Sequence, residues 1–128
     1  MMRRLVIGAL AVSLITPLAV GLFHRQAYGT WAWWRAPRNI SWCGRTYHRG
    51  IGPTVTRAMI ESQSVSLPGD APYPLATVTR IPPAVGRPVL AQPIPAARRR
   101  DLGLPCAMVV YLETGDDRYT GYELVGGP

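Results

Sequence analysis

The chain has 128 residues, enough for one small domain once any targeting segment is set aside. Hydrophobic residues make up 48% and charged residues 16%, which excludes a charge-rich disordered chain, while 13 Gly and 13 Pro predict a fold interrupted by turns. All 14 basic residues are arginine and the net charge is +7. This bias is typical of a GC-rich bacterial genome and identifies no ligand by itself.

The first predicted element is an apolar run from Leu5 to Phe23, which follows Arg3 and Arg4 and carries no charge over 19 residues. A helix of this length spans roughly 28 Å, close to the hydrocarbon thickness of a bilayer. We therefore interpret residues 1–28 as an uncleaved signal-anchor whose residues 5–23 cross the membrane. The alternatives are a cleaved secretory signal, with its best cleavage motif at residues 27–29, and a helix buried in the domain core.

The segment after the anchor, residues 29–38, is predicted to be an interfacial linker. Its tryptophans Trp31, Trp33 and Trp34 suit the headgroup region because indole combines an apolar ring with a polar N–H. Burial in the core and an aromatic platform for a ligand such as a carbohydrate are the alternatives.

The orientation of the anchor follows from its short amino-terminal tail. Such a tail normally stays inside, so we expect the residues after 24 to lie outside the cytoplasm of a bacterial envelope.

Residues 39–128 are predicted to form a small, proline-rich, all-β domain of sandwich or barrel type. Short apolar runs between turn residues indicate strands, and no sustained helical spacing is visible. The predicted strands are Asn39 to His48, Val55 to Ser62, Leu75 to Ile81, Pro88 to Gln92, Ala107 to Thr114 and Tyr119 to Val125.

The last two strands form the strongest local pattern, a hairpin with its turn centred on Asp116 and Asp117. A regular ladder from that turn places Tyr111 opposite Tyr122 and Val109 opposite Leu124. We therefore expect a carboxy-terminal hairpin in this register.

The two cysteines, Cys43 and Cys106, lie at the edges of predicted strands. An even pair in a small domain outside the cytoplasm predicts a disulfide, worth about 4 kcal/mol in the chain-entropy model. Two separate buried thiols, or one reactive cysteine, are the alternatives. His48 follows Cys43 by five residues, but on a strand this spacing places the two side chains on opposite faces, which disfavours a nucleophile and base pair.

Arg98, Arg99 and Arg100 form the densest positive charge and are predicted to lie in an exposed loop. Such a run is either a solvated loop or a contact for anionic lipid or an acidic protein partner. Nucleic-acid binding is not expected because no aromatic or base-reading residues are interleaved with the arginines.

Other chemistry finds little support in the sequence. Two histidines and two separated cysteines make a poor zinc ligand set, so no metal is expected. No carboxylate pair suits glycosidase chemistry, no glycine-rich phosphate loop opens a helix, and no cofactor is implied. We therefore expect a membrane-anchored binding module or accessory subunit rather than an enzyme. The alternative is a secreted or anchored enzyme, for which Cys43 and His48 are the least implausible pair.

Overall fold

The computed structural model describes the backbone of residues 2–28 and 35–126, and the side chains of residues 13–26 and 35–126. The chain divides into two compact units, Met1–Arg38 and Asn39–Pro128. The predicted interfacial tryptophans Trp31, Trp33 and Trp34 lie outside the described residues.

The first unit contains one long helix, α1, which spans Met2–Tyr28 and has Pro17 in its interior. Apolar side chains in its described part, such as Leu14 and Phe23, are exposed. In the part of the chain that the structure describes, no helix meets the length and apolarity that a membrane span requires.

The second unit is a small all-β domain, as the sequence predicts. Its six strands form one curled antiparallel sheet, a half-barrel, in the order β1-β2-β6-β5-β4-β3. Two short helices interrupt the strands. In chain order the elements are β1 (Asn39–Trp42), β2 (Arg45–Arg49), α2 (Arg57–Ser62), β3 (Ala76–Ile81), β4 (Arg87–Ala91), α3 (Ala96–Leu102), β5 (Val109–Gly115) and β6 (Arg118–Leu124).

The predicted strand from Asn39 to His48 is in fact two strands. Cys43 and Gly44 both adopt positive φ angles, 55° and 69°, and turn the chain back on itself. Left-handed backbone of this kind cannot continue a strand. The result is a β1–β2 hairpin in which Ile40 pairs with Tyr47.

The predicted strand from Val55 to Ser62 is wrong after its first residue. Val55 forms an isolated bridge with Tyr119, and helix α2 then begins. The Thr56 hydroxyl caps this helix by accepting a hydrogen bond from the Met59 N–H at 3.3 Å. Arg57 and Glu61 add an ion pair at helical spacing, at 2.9 Å. The cap, this pair and the burial of Ile60 all favour a helix in this segment.

The exposed loop predicted at Arg98, Arg99 and Arg100 is also wrong, because these residues form the body of α3. Alanine and arginine are good helix formers, and Pro95 directly precedes the first turn. Gly103 ends the helix in the left-handed conformation, with φ 64°.

The β5–β6 hairpin has its turn at Asp116 and Asp117, as predicted, but its register differs by one residue. Glu113 pairs with Tyr119 and Gly115 with Arg118, so Thr114 is an extra residue in β5. A bulge of this kind shifts every later pair. Val110 therefore lies opposite Tyr122, with Tyr111 opposite Gly121.

The strand register sorts the sheet into two faces. One face, here called the α2 face, carries Leu90 and Tyr119, which pack against Ile60 of α2. The opposite face carries most of the large, fully buried side chains of the ladder. These are Ile40, Tyr47, Val89, Val110 and Tyr122.

Two buried tyrosines on the opposite face are held as neutral phenols. The Tyr47 hydroxyl donates to the carbonyl oxygen of Ala107 at 2.8 Å, and burial raises the pKa of Tyr47. Burial also raises the pKa of Tyr122, to about 12. Both side chains therefore disfavour the charged form in the folded domain.

Candidate functional site

A groove lies at the end of the β4–β5 ladder, beside the end of α2. Its volume is about 130 Å³. The lining is mainly apolar with two amide side chains and one phenol. The residues are Gln63, Val65, Gln92, Ile94, Ala107, Met108, Val109 and Tyr111.

The groove lies at one end of the β4–β5 ladder. The paired residues of β4 and β5 are Val89 with Leu112 and Leu90 with Tyr111. Val109, the next outward residue on the same side of β5, pairs with Glu123 of β6 but with no residue of β4. Most of the residues that line the groove lie beyond the end of this ladder.

Hydrogen bonds hold the polar wall of the groove. The Gln92 Nε2 donates to the Gln63 carbonyl oxygen at 3.2 Å, and the Tyr111 hydroxyl donates to Gln63 Oε1 at 3.3 Å. Burial, followed by the negative charge of Glu123, raises the pKa of Tyr111. Tyr111 is therefore a neutral hydrogen-bonding group at physiological pH.

The apolar wall of the groove is open to solvent. Met108 is 58% exposed and Val65 is 42% exposed, whereas Ile94 and Ala107, which also line the groove, are buried. Methionine adapts its shape readily and is common at binding surfaces. The groove can therefore accept a small apolar group while the amides of Gln63 and Gln92 offer polar contacts.

Sequence reasoning did not select this groove. Its only signal was the position of two amides, with Gln63 following one predicted strand and Gln92 ending another. The position of the groove depends on where the β4–β5 ladder ends, which the sequence pattern does not specify.

The predicted disulfide is confirmed. Cys43 in the β1–β2 turn is bonded to Cys106, just before β5, with a Cα–Cα distance of 6.4 Å and a sequence separation of 63. Cys43 is exposed and Cys106 is buried. His48 lies in β2 and pairs with Asn39 and Glu123. The structure therefore does not present Cys43 and His48 as a thiol and imidazole pair.

The three arginines of α3 have three different environments. Arg98 donates to Asp70 at 3.0 Å and to the Pro68 carbonyl oxygen at 3.2 Å. Asp70 also accepts a hydrogen bond from Tyr73. The bond from Tyr73, and then that from Arg98, lowers the pKa of the Asp70 carboxyl.

Arg99 is partly exposed and contacts the disulfide. Its Nη1 lies 2.9 Å from Cys106 Sγ and 3.8 Å from Cys43 Sγ, and its Nε donates to the Ile94 carbonyl oxygen at 3.0 Å. Arg100 is exposed and makes no hydrogen bond or ion pair with another described residue. Of the three arginines interpreted as either a solvated loop or a contact for an anionic partner, only Arg100 is directed wholly to solvent.

Across residues 13–26 and 35–126, no group of three metal-ligating side chains is present. Comparison with protein-family models, curated proteins and solved structures gives no match to this chain.

Proposed function

We propose that this protein is a single-pass, membrane-anchored binding module of a bacterial cell envelope. The uncharged run of residues 5–23 supports the anchor, since its length suits one crossing of a bilayer. The Cys43–Cys106 bridge supports a domain outside the cytoplasm, since disulfides persist in oxidising compartments. The β domain then acts as an accessory subunit that contacts a protein partner.

The groove is the main observation that supports a binding role. Pockets for drug-sized ligands usually measure about 300–1,000 Å³, so a groove of about 130 Å³ is too small for such a molecule. Its size suits a single apolar side chain of a protein partner. Anchor side chains that fill small pockets contribute most of the affinity at many protein interfaces.

The residues that line the groove also suit an apolar side chain of a protein partner. Exposed Met108 and Val65 offer apolar contact, while Gln63 and Gln92 offer amide groups to the partner backbone. A protein segment presents this combination of an apolar side chain and a polar backbone. We therefore propose an apolar anchor residue, presented by an envelope protein, as the occupant of the groove.

Site-specific photo-crosslinking of the full-length protein in intact membranes tests the groove. A crosslinking residue at Met108 is expected to capture one defined partner. The matched control is Val85, which is 88% exposed in the turn between β3 and β4. Equal capture at Met108 and Val85 would mean nonspecific contact and would reject the groove as the binding site.

Affinity for the purified crosslinked partner provides the second readout. Val65→Glu puts a charge into the groove wall and is expected to weaken binding at least tenfold, equivalent to about 1.4 kcal/mol. Ile51→Glu, at a fully exposed position outside the groove, is the control and should bind as the unaltered protein does. Equal affinity of the two variants would contradict the proposed contact.

Topology is tested separately from binding. A tag placed after Pro128 should be removed when intact spheroplasts are treated with protease. An intact tag would show that the domain is not outside the membrane, whatever the groove binds.

A further inference from the structure

We propose that the Cys43–Cys106 bridge is a thiol-exchange site, in which an incoming thiolate bonds to Cys43 and Cys106 leaves as a thiolate beside Arg99. This inference goes beyond the proposed binding role and does not depend on the groove. It rests on two differences between the two sulfur atoms, in access and in electrostatic environment.

The two cysteines differ in solvent access because they lie in different kinds of segment. Cys43 lies in the tight β1–β2 turn and is exposed, whereas Cys106 is only 4% exposed. Thiol–disulfide exchange begins with attack of a thiolate on one sulfur atom, and the choice of sulfur depends on access. A nucleophile from solvent therefore attacks Cys43.

The electrostatic environment favours Cys106 as the leaving group. Arg99 Nη1 is 2.9 Å from Cys106 Sγ but 3.8 Å from Cys43 Sγ, so the guanidinium is closer to the sulfur that leaves. A positive group beside a sulfur atom stabilises its thiolate form. Among the described residues no carboxylate forms an ion pair with Arg99, so its charge remains available to that thiolate.

Backbone contacts hold the arginine in place before exchange begins. Arg99 Nε donates to the Ile94 carbonyl oxygen at 3.0 Å, and the Ile94 N–H donates to the Cys106 carbonyl oxygen at 2.8 Å. Arg98 binds Asp70 and thereby anchors the same helix. The guanidinium therefore needs no rearrangement to meet the leaving thiolate, and Arg99 is a positioning and charge-stabilising residue rather than the nucleophile.

The exchange step conserves atoms and electrons. A thiolate RS⁻ forms a bond to Cys43 Sγ, the Cys43–Cys106 S–S bond breaks, and the electron pair of that bond leaves on Cys106 Sγ. The product is a mixed disulfide at Cys43 and a thiolate at Cys106. The co-reactant is a thiol, either a small molecule such as glutathione or the reduced Cys-x-x-Cys pair of an oxidoreductase.

Peptide mapping of the full-length oxidised protein in detergent tests the direction of attack. After reaction with glutathione and an acid quench, glutathione should be found on Cys43 in at least tenfold excess over Cys106. Equal labelling of the two cysteines, or preferential labelling of Cys106, would overturn the proposal. Exchange that occurs only at the rate of global unfolding would also overturn it.

A second arm identifies the source of the thiol. Reduced thioredoxin is compared with glutathione at equal thiolate concentration. A rate at least tenfold higher for thioredoxin supports attack by a protein dithiol at this site, and the reverse order supports attack by a small thiol. Failure of both reagents to open the bridge in the folded protein would contradict the proposal.

The role of Arg99 is tested with matched helix variants. Arg99→Gln should slow exchange roughly tenfold because the leaving thiolate loses its cation. Arg100→Gln, one residue further along the same helix, should leave the rate unchanged, and Arg99→Lys should restore most of it. Equal rates for Arg99→Gln and Arg100→Gln would overturn the role of Arg99.

One further readout separates charge stabilisation from structural damage. In the reduced protein, the pH profile for alkylation of Cys106 should move to higher pH in Arg99→Gln and return towards the original profile in Arg99→Lys. An unchanged profile would contradict the electrostatic role. If Arg99→Gln does not fold, the labelling ratio of the unaltered protein still decides the direction of attack.

Discussion

The β5–β6 hairpin and the α3 segment, residues 94–106, are stabilised by different kinds of interaction. The hairpin combines a long antiparallel ladder with buried Val110, Leu112 and Tyr122. Helix α3 contains no buried residue and is held by the disulfide, by an ion pair and by side-chain hydrogen bonds. The hairpin thus depends on apolar burial, whereas helix α3 itself is held by covalent and charged contacts that reductant and pH can change.

Removal of the disulfide is expected to have the largest effect on stability. In the chain-entropy model, a closed loop of this length contributes about 4 kcal/mol. The double variant Cys43→Ala with Cys106→Ala should lower the free energy of unfolding of the β domain by about that amount, as measured by urea denaturation and near-ultraviolet circular dichroism. A decrease below about 1 kcal/mol would contradict the covalent support assigned to this bridge.

Each region contains a leucine, so the same substitution can be made in both and its effect on stability compared. Leu112 in the hairpin is 2% exposed, and Leu102 in α3 is 52% exposed. Leu112→Ala should cost about 3 kcal/mol because it leaves a cavity in a packed core, whereas Leu102→Ala should cost less than about 0.5 kcal/mol. Similar losses of stability in the two variants would show that the regions do not differ as described.

Alkaline pH should destabilise the core through Tyr122. Its folded pKa of about 12 lies above the ordinary value of 10.0. The stabilisation is therefore complete below pH 10 and falls as pH rises towards 12, by about 2 kcal/mol at pH 12. Burial raises the pKa of Tyr47 as well, which adds in the same direction. Tyr122→Phe should flatten the dependence of stability on pH over this range, and an unchanged slope would contradict this origin.

Acid should weaken the contact between Asp70 and Arg98 of α3, and this is the smallest of the expected effects on stability. Tyr73 and Arg98 lower the pKa of the Asp70 carboxyl in the folded domain. The resulting stabilisation is present above the unfolded pKa, about 3.9, and is lost as pH falls through the lower folded value. Asp70→Asn should therefore be less stable than the unaltered protein at pH 7, with a difference that disappears in acid. A difference independent of pH would exclude a charged contact.

The two regions also differ in how far the sequence predicts them. The hairpin was recognisable because apolar runs flank the Asp116 and Asp117 turn. Its predicted register was wrong by one residue. The bulge at Thr114 caused that error. Bulges are set by packing across the sheet, and here the shift brings Val110 opposite Tyr122 in the buried core.

The α3 segment was predicted incorrectly because nearby prolines favoured a loop interpretation. Pro95 is in fact placed where a helix tolerates proline, and Gly103 provides the left-handed end. The disulfide was predictable from the cysteine count, but the contact of Arg99 with its sulfur atoms was not. That contact joins residues far apart in the chain and depends on the helix orientation.

The groove, like the Arg99 contact, could not be predicted from the sequence. Tyr111 and Val109 were recognised as strand residues, yet their part in a groove depends on the end of the β4–β5 ladder. Individual strands follow from local apolar patterns, whereas a groove beside the end of a ladder follows from the tertiary arrangement.

Hydrogen exchange of the full-length protein, oxidised and then reduced without denaturant, tests the contrast between the two regions most directly. Reduction should remove protection from the backbone amides of the α3 segment, including Ile94 and Leu104, which donate to Cys106 and Arg99 carbonyl oxygens. Amides of the β5–β6 ladder should remain protected under the same conditions. Simultaneous loss of protection in both regions, or no loss in either, would contradict the account.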